Sequence, residues 1–191
     1  LTPAGVEVVG ESGPSPLLVA GGDVFYISTQ KNPAERQVSR VPIAGGTPAQ
    51  VTSLPGTHAP SLSPDGRTLA LATSTPANTI RLIDLSTGQD LARLDGHTSA
   101  VYRVAFNADG TRLVALGDQL QVSTFEVETG RLVGRHEPEF WDWEGIFRLS
   151  EDGSRVVIYH FVSDLLEVLD GADSHRIGWV CPVFFNTKHN P

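Results

Sequence analysis

The chain has 191 residues, of which 40% are hydrophobic and 19% are charged, a composition typical of a folded domain rather than a disordered segment. Its net charge of −8, without any basic cluster longer than two residues, argues against a nucleic-acid partner. No apolar run approaches the ~20 residues of a membrane-spanning helix, so we expect no membrane insertion. The single cysteine, Cys181, excludes an intrachain disulfide and leaves the compartment open between cytoplasm and periplasm.

A tight turn followed by a short apolar strand recurs along the chain. The turns contain Gly22, Gly66, Gly110 and Gly153, which follow one another at steps of 44, 44 and 43 residues. In the last three turns the glycine follows an aspartate, and in each turn glycine supplies the positive backbone angle that a tight hairpin requires. The strand-like segments that follow cover residues 24–28, 67–72, 111–116 and 154–159. This regular spacing indicates an internal repeat.

A second marker, a turn about twenty residues after each first one, has nearly the same period. Gly46, Gly88 and Gly130 are each 42 residues apart, and residues 169–174 form the fourth copy. The third unit contains four strand-like segments, at residues 100–106, 112–116, 120–127 and 131–134. In the first of these, Tyr102, Val104 and Phe106 alternate with polar or small residues, the pattern of a half-buried strand. Four strands in 40–45 residues match one propeller blade.

The repeat therefore predicts an all-β fold, a β-propeller segment of about four consecutive four-stranded antiparallel blades. We place these blades at residues 15–55, 56–97, 98–139 and 140–180, within one segment that spans residues 1–191. Residues 1–10 and 179–191 are assigned to strands of flanking blades. Four blades and two additional strands make an open arc with uncovered faces and edges. We therefore expect part of a larger propeller that assembles with further blades or another chain.

Two stretches resemble known propeller families. The sequences SPDGRTLALATS and IRLIDLSTGQDLARLDGHTSAVYRVAFNADGTRLVA resemble bacterial WD repeats, including the Gly96-His97 pair, while SRVPIAGGTPAQVT resembles a TolB-type blade. The resemblance covers roughly residues 15–180. It implies a structural hydrogen bond between His97 and Asp118 within one blade. Ala115 and Phe125 occupy the family's Ser/Thr and Trp places, so at most one link of the family's hydrogen-bond network is expected.

An aromatic segment precedes the innermost strand of the fourth blade. Phe140, Trp141 and Trp143 occupy a loop at the rim of the central channel, where aromatic side chains often anchor a partner. Together with Tyr102 and Arg103 they form the candidate partner-binding rim. The alternative is that a tryptophan is buried in place of the missing Gly-His turn; we favour burial for Trp143 and leave Trp141 open.

No residue pattern in the chain predicts catalysis, a cofactor or a metal. The segment at residues 10–14 faintly resembles a serine-protease nucleophile segment but lacks upstream partners, and no Gly-x-Ser-x-Gly elbow or helical histidine pair is present. We therefore expect a non-enzymatic scaffold that binds a peptide or protein through the channel rim and loops. The alternatives are a gating domain of a prolyl-oligopeptidase-like hydrolase, or a periplasmic TolB-like assembly or electron-transfer accessory subunit.

Overall fold

The computed structural model describes residues 18–28, 37–53, 58–73, 79–138, 145–150, 153–161 and 163–180. These residues form sixteen β-strands and a single 3-10 turn at Asp118–Leu120, without an α-helix. Accordingly, the described residues contain no helix capable of crossing a membrane.

The strands form four sheets, each built from four consecutive strands. Blade 1 contains β1 (Leu18–Ala20), β2 (Asp23–Ser28), β3 (Gln37–Pro42) and β4 (Ala49–Gln50), and blade 2 contains β5 (His58–Leu62), β6 (Thr68–Thr73), β7 (Thr79–Asp84) and β8 (Asp90–Leu94). Blade 3 contains β9 (Val101–Phe106), β10 (Arg112–Gly117), β11 (Val122–Glu126) and β12 (Leu132–His136). Blade 4 contains β13 (Gly145–Leu149), β14 (Arg155–His160), β15 (Leu165–Asp170) and β16 (Arg176–Val180).

The fold class predicted from the repeat is confirmed. Every sheet is antiparallel, with its strands paired in chain order, as expected for propeller blades. The four sheets do not close into a ring. Trp179 and Val180, which the sequence assigned to a flanking blade, are the last residues of β16 in blade 4. The expected strand at residues 5–9 and residues 181–191 lie outside the described part of the chain.

Both turn markers form the tight turns that were predicted. In the first marker the amide of Gly66 donates to the carbonyl of Ser63 over 2.8 Å, and Gly66 has a φ of +68°. The same turn returns at Gly110 and Gly153, so each blade after the first enters its second strand through the same geometry. In the fourth copy of the second marker the left-handed position is taken by Ser174, with a φ of +62°.

The second strand of each central blade is buried on both faces, because consecutive side chains of a strand point in opposite directions. In β6, Leu69 and Leu71 pack in a cluster with Phe25 and Val38 of blade 1. Ala70 and Ala72, on the other face of β6, pack in a cluster with residues of blade 3. One strand thus contributes to the contacts on both sides of blade 2.

The same arrangement joins blade 3 to blade 4. Val114 and Leu116 of β10 lie in a cluster with Phe147 and Ile158 of blade 4. The described residues thus contain one hydrophobic cluster at each of the three blade boundaries. Burial of this apolar surface, at roughly 25 cal/mol per Å², is the main force that holds consecutive blades together.

The outer face of blade 4 is only partly covered. Ile146 and Val180 are 42% and 50% exposed, and Val157, Leu166 and Val168 are half-buried. The equivalent second-strand residues of blade 3, Val114 and Leu116, are buried. This difference agrees with an arc that remains open on the blade 4 side.

Blade 4 approaches the outermost strand of blade 3 closely enough to require a glycine. A Cβ atom at Gly134 would overlap the backbone carbonyl of Asp173 in the turn that precedes β16. We expect Gly134→Ala to lower the free energy of unfolding by about 2–3 kcal/mol, since the overlap with backbone must be relieved by moving blade 4. Gly178→Ala is the matched control because a Cβ there meets no heavy atom within 4 Å. Urea denaturation would contradict the close packing if both variants behaved alike.

Candidate functional site

A β-bulge at the start of the innermost strand of blade 3 turns Tyr102 outward. Gly117 of β10 pairs with Val101 and Leu116 pairs with Arg103, so Tyr102 has no partner on β10. Strict alternation would have put Tyr102 on the same face as Val104, which is buried. The bulge instead buries Val101 and leaves Tyr102 55% exposed. Bulges of this kind re-aim a side chain at functional sites.

The outward position of Tyr102 is stabilised by the loop between β10 and β11. The phenol of Tyr102 donates a hydrogen bond to the carboxylate of Asp118, and this contact raises the pKa of Tyr102, with burial adding to the effect. The amide of Asp118 in turn donates to the carbonyl of Ala100 over 3.0 Å, which ties the loop to the approach to β9. An exposed aromatic side chain with a fixed orientation suits partner binding, because little side-chain entropy is left to lose.

The innermost strands of blades 3 and 4 each carry an arginine. Arg103 follows Tyr102 on β9 and is half-buried, while Arg148 lies on β13, the innermost strand of blade 4. Burial lowers the pKa of Arg103, and the positive charge of Arg148 lowers it further. Two like charges are therefore close enough to interact at the inner edge of a chain whose net charge is −8.

The predicted hydrogen bond between His97 and Asp118 is wrong. The Nδ1 atom of His97 lies 2.8 Å from the hydroxyl of Ser123 on β11, and its Nε2 atom has no hydrogen-bond partner among the described residues. Asp118 bonds Tyr102 instead. Ser123 was missed because the family pattern directs attention to Ala115, whereas β11 is the strand that presents a hydroxyl to the ring.

His97 is buried in a space that Gly117 keeps open, since a Cβ at Gly117 would overlap Nε2 of the ring. The pKa of His97 is lowered to about 4, mainly by burial and also by the positive charge of Arg135, while the negative charge of Asp118 partly offsets these effects. The unfolded chain thus binds a proton more readily than the folded one between the ordinary value of 6.5 and about 4. The stability that neutral His97 contributes is complete above about pH 6.5 and is lost as the pH falls, up to about 3 kcal/mol.

A second polar network closes the same end of blade 3. The side-chain amide of Gln121 donates to Thr98 Oγ1 over 2.9 Å and to Glu137 Oε1 over 3.0 Å. Arg135 donates to the carbonyl of Gly96. These contacts join three loops around His97, and they were not predicted because their members are 16 to 39 residues apart.

The remaining members of the candidate rim, Phe140, Trp141 and Trp143, lie outside the described residues.

One group of potential metal ligands was also missed by the sequence reasoning. Asp170, Asp173 and His175 bring ligand atoms within 4.8 Å of one another at an exposed turn, where Asp173 already contacts the imidazole of His175.

Separate substitution of the observed partner, Ser123, and of the predicted partner, Asp118, tests which residue bonds His97. Ser123→Ala removes a buried hydroxyl and leaves His97 without its bond, so we expect the free energy of unfolding to fall by about 1–3 kcal/mol. Asp118→Ala removes an exposed contact, and a change below about 0.5 kcal/mol is expected. Urea melts above pH 7 measure both values. A larger loss for Asp118→Ala than for Ser123→Ala would restore the sequence-based prediction.

A comparison with known sequences finds a partial similarity to one WD-repeat protein. No protein-family model matches the chain. A 63-residue segment, 33% of the chain, is 40% identical to the WD repeat-containing protein SL1-17 of Schistosoma mansoni. The match spans about a fifth of that relative, 21% of its length. The partial match and the four antiparallel sheets together fit a WD-repeat, propeller-like family.

Proposed function

We propose that the chain is a non-enzymatic scaffold that binds a peptide or protein through the rim of blade 3. The observation that carries the proposal is the bulge that exposes Tyr102 at the innermost strand and fixes it against Asp118. Regular strand alternation would have buried Tyr102 on the same face as Val104. Because the bulge exposes its ring instead, the ring contributes little to the packing of the blade. The similarity to a WD repeat-containing protein supports a role in protein interaction.

The charge of the rim indicates which partner it fits. Arg103 and Arg148 supply positive charge on the innermost strands of blades 3 and 4, so an acidic side chain of the partner would be attracted by both. The aromatic ring would supply the apolar contact, in the manner of interface anchors. A peptide that combines an apolar and an acidic residue is therefore the expected ligand. The extension of this surface to Phe140, Trp141 and Trp143 is part of the proposal.

The proposal includes two statements about the whole protein. The chain acts together with further blades or another chain, which the half-covered outer face of blade 4 supports. Blade 1 is of the TolB type, on the resemblance of residues 39–52. No described contact favours a gating domain of a hydrolase over a scaffold.

Peptide selection from a random phage-display library tests the proposed surface. We expect wild-type protein to enrich peptides with acidic residues, and Tyr102→Ala or Arg103→Gln to weaken their binding at least about tenfold, the effect of losing an interface anchor. Leu91→Ala is the control, because Leu91 is similarly exposed but lies on the outermost strand of blade 2. Circular dichroism verifies that the variants are folded. Selected peptides that bind all variants equally would contradict the proposed site.

A further inference from the structure

Three titratable side chains meet in a buried cluster at the boundary between blades 3 and 4. Nε2 of His136, the last residue of β12, lies 2.8 Å from Oε1 of Glu167 on β15. Nε2 of His160, the last residue of β14, lies 3.1 Å from Oε2 of the same carboxylate. The side chains of Glu167 and His160 are 0% exposed and that of His136 is 10% exposed. One carboxylate from blade 4 thus lies at ion-pair distance from two imidazoles, one from each blade, although its contact with His136 lacks the angles of a hydrogen bond.

The charge of this cluster depends on how many protons it holds. A single proton on either ring gives one imidazolium and one carboxylate, a pair without net charge. A second proton leaves two cations against one anion where water is excluded. A buried charge without compensation costs several kcal/mol, so a separation of the two blades that admits water becomes favourable.

The surroundings of the cluster offer no second anion among the described residues. On the β16 side, the ring of Trp179 lies 5.4 Å from that of His160, and Arg176 lies 5.4 Å above the Trp179 ring, which adds a positive charge. The neighbouring residues of β11 are uncharged. The other charged side chains of the adjoining strands and turns have contacts of their own: Arg135 with Gly96, Glu137 with Gln121, Arg148 with the carbonyl of Phe147, Asp164 with Tyr159, Asp170 with Arg155, and Asp173 with His175.

We propose that His136, His160 and Glu167 form an acid-sensitive latch that holds blade 4 against blade 3 at neutral pH and releases it on acidification. Histidine is the side chain whose charge changes in mild acid, and imidazoles that reach water when the blades separate can take up protons there. Blade 4 is the blade that separates, because its outer face is half-covered and its inner face carries the latch. The hydrophobic clusters at the other two boundaries consist of apolar side chains and have no such response.

Hydrogen exchange measured by mass spectrometry at pH 7.5 and pH 5.0 tests the latch in the wild-type chain. After correction for the intrinsic exchange rate, we expect the protection factors of amides in β14 and β15 to fall about tenfold or more at pH 5.0. A tenfold change in the opening equilibrium is the effect of one additional bound proton over one pH unit. Protection of β6 and β7 in blade 2 is expected to change much less. Because neutral His97 also contributes stability that acid removes, an equal fall in all blades would indicate global unfolding and would overturn the proposal.

Variants separate the latch from general acid sensitivity. His136→Gln leaves one imidazole and one carboxylate, a pair that becomes neutral when the imidazole takes up a proton, so the selective loss of protection at pH 5.0 should disappear. His175→Gln is the matched control, because this imidazole lies on blade 4 but is exposed. An unchanged acid response in His136→Gln would overturn the latch. If this variant is unfolded at pH 7.5, the comparison of blades in the wild type decides alone.

Discussion

The structure depends on covering both faces of the second strand in each blade. A strand that carries apolar side chains on both faces needs another sheet packed against each face, so each blade requires a neighbouring blade on either side. In β6 the two faces differ in size, with leucines toward blade 1 and Ala70 and Ala72 toward blade 3. The small residues leave room for Val101, Val104 and Phe125 of blade 3. The two faces of β6 thus differ in side-chain volume according to the blade that covers them.

At the boundary between blades 3 and 4, buried polar groups of both blades contact one another beside the apolar cluster. The hydroxyls of Thr124 and Ser174 share a hydrogen bond there, and Glu167 bridges two imidazoles. Ser174 occupies a left-handed position where glycine is the usual residue, and its buried hydroxyl explains why a side chain is retained. Polar contacts of this kind depend on geometry and protonation, whereas apolar contacts depend mainly on area. We therefore expect the contact between blades 3 and 4 to depend on pH.

The repeat period was sufficient to predict the blades, because turn residues and strand alternation are local properties. The surface on blade 3 was only partly predictable. Tyr102 and Arg103 were identified from their place on the innermost strand, but the bulge at Gly117 that exposes Tyr102 depends on the register with β10. Ser123 was missed as the partner of His97 because the family pattern directs attention to Ala115 on β10, whereas the hydroxyl lies on β11.

The cluster around Glu167 could not be found from sequence spacing, because its histidines are 31 and 7 residues away. The available signal was a charged residue within the apolar run of β15, which implies a buried partner. Which partner it has depends on the packing of two blades.

The central claim is that consecutive blades pack face to face through their second strands. Nuclear Overhauser measurements on methyl-labelled protein test it most directly. The account predicts cross-peaks between Val114 or Leu116 of blade 3 and Ile158 of blade 4, and between blade 1 and the leucines of β6. Cross-peaks that instead join blade 1 to blade 3, or blade 2 to blade 4, would indicate two face-packed sheets and would contradict the arrangement.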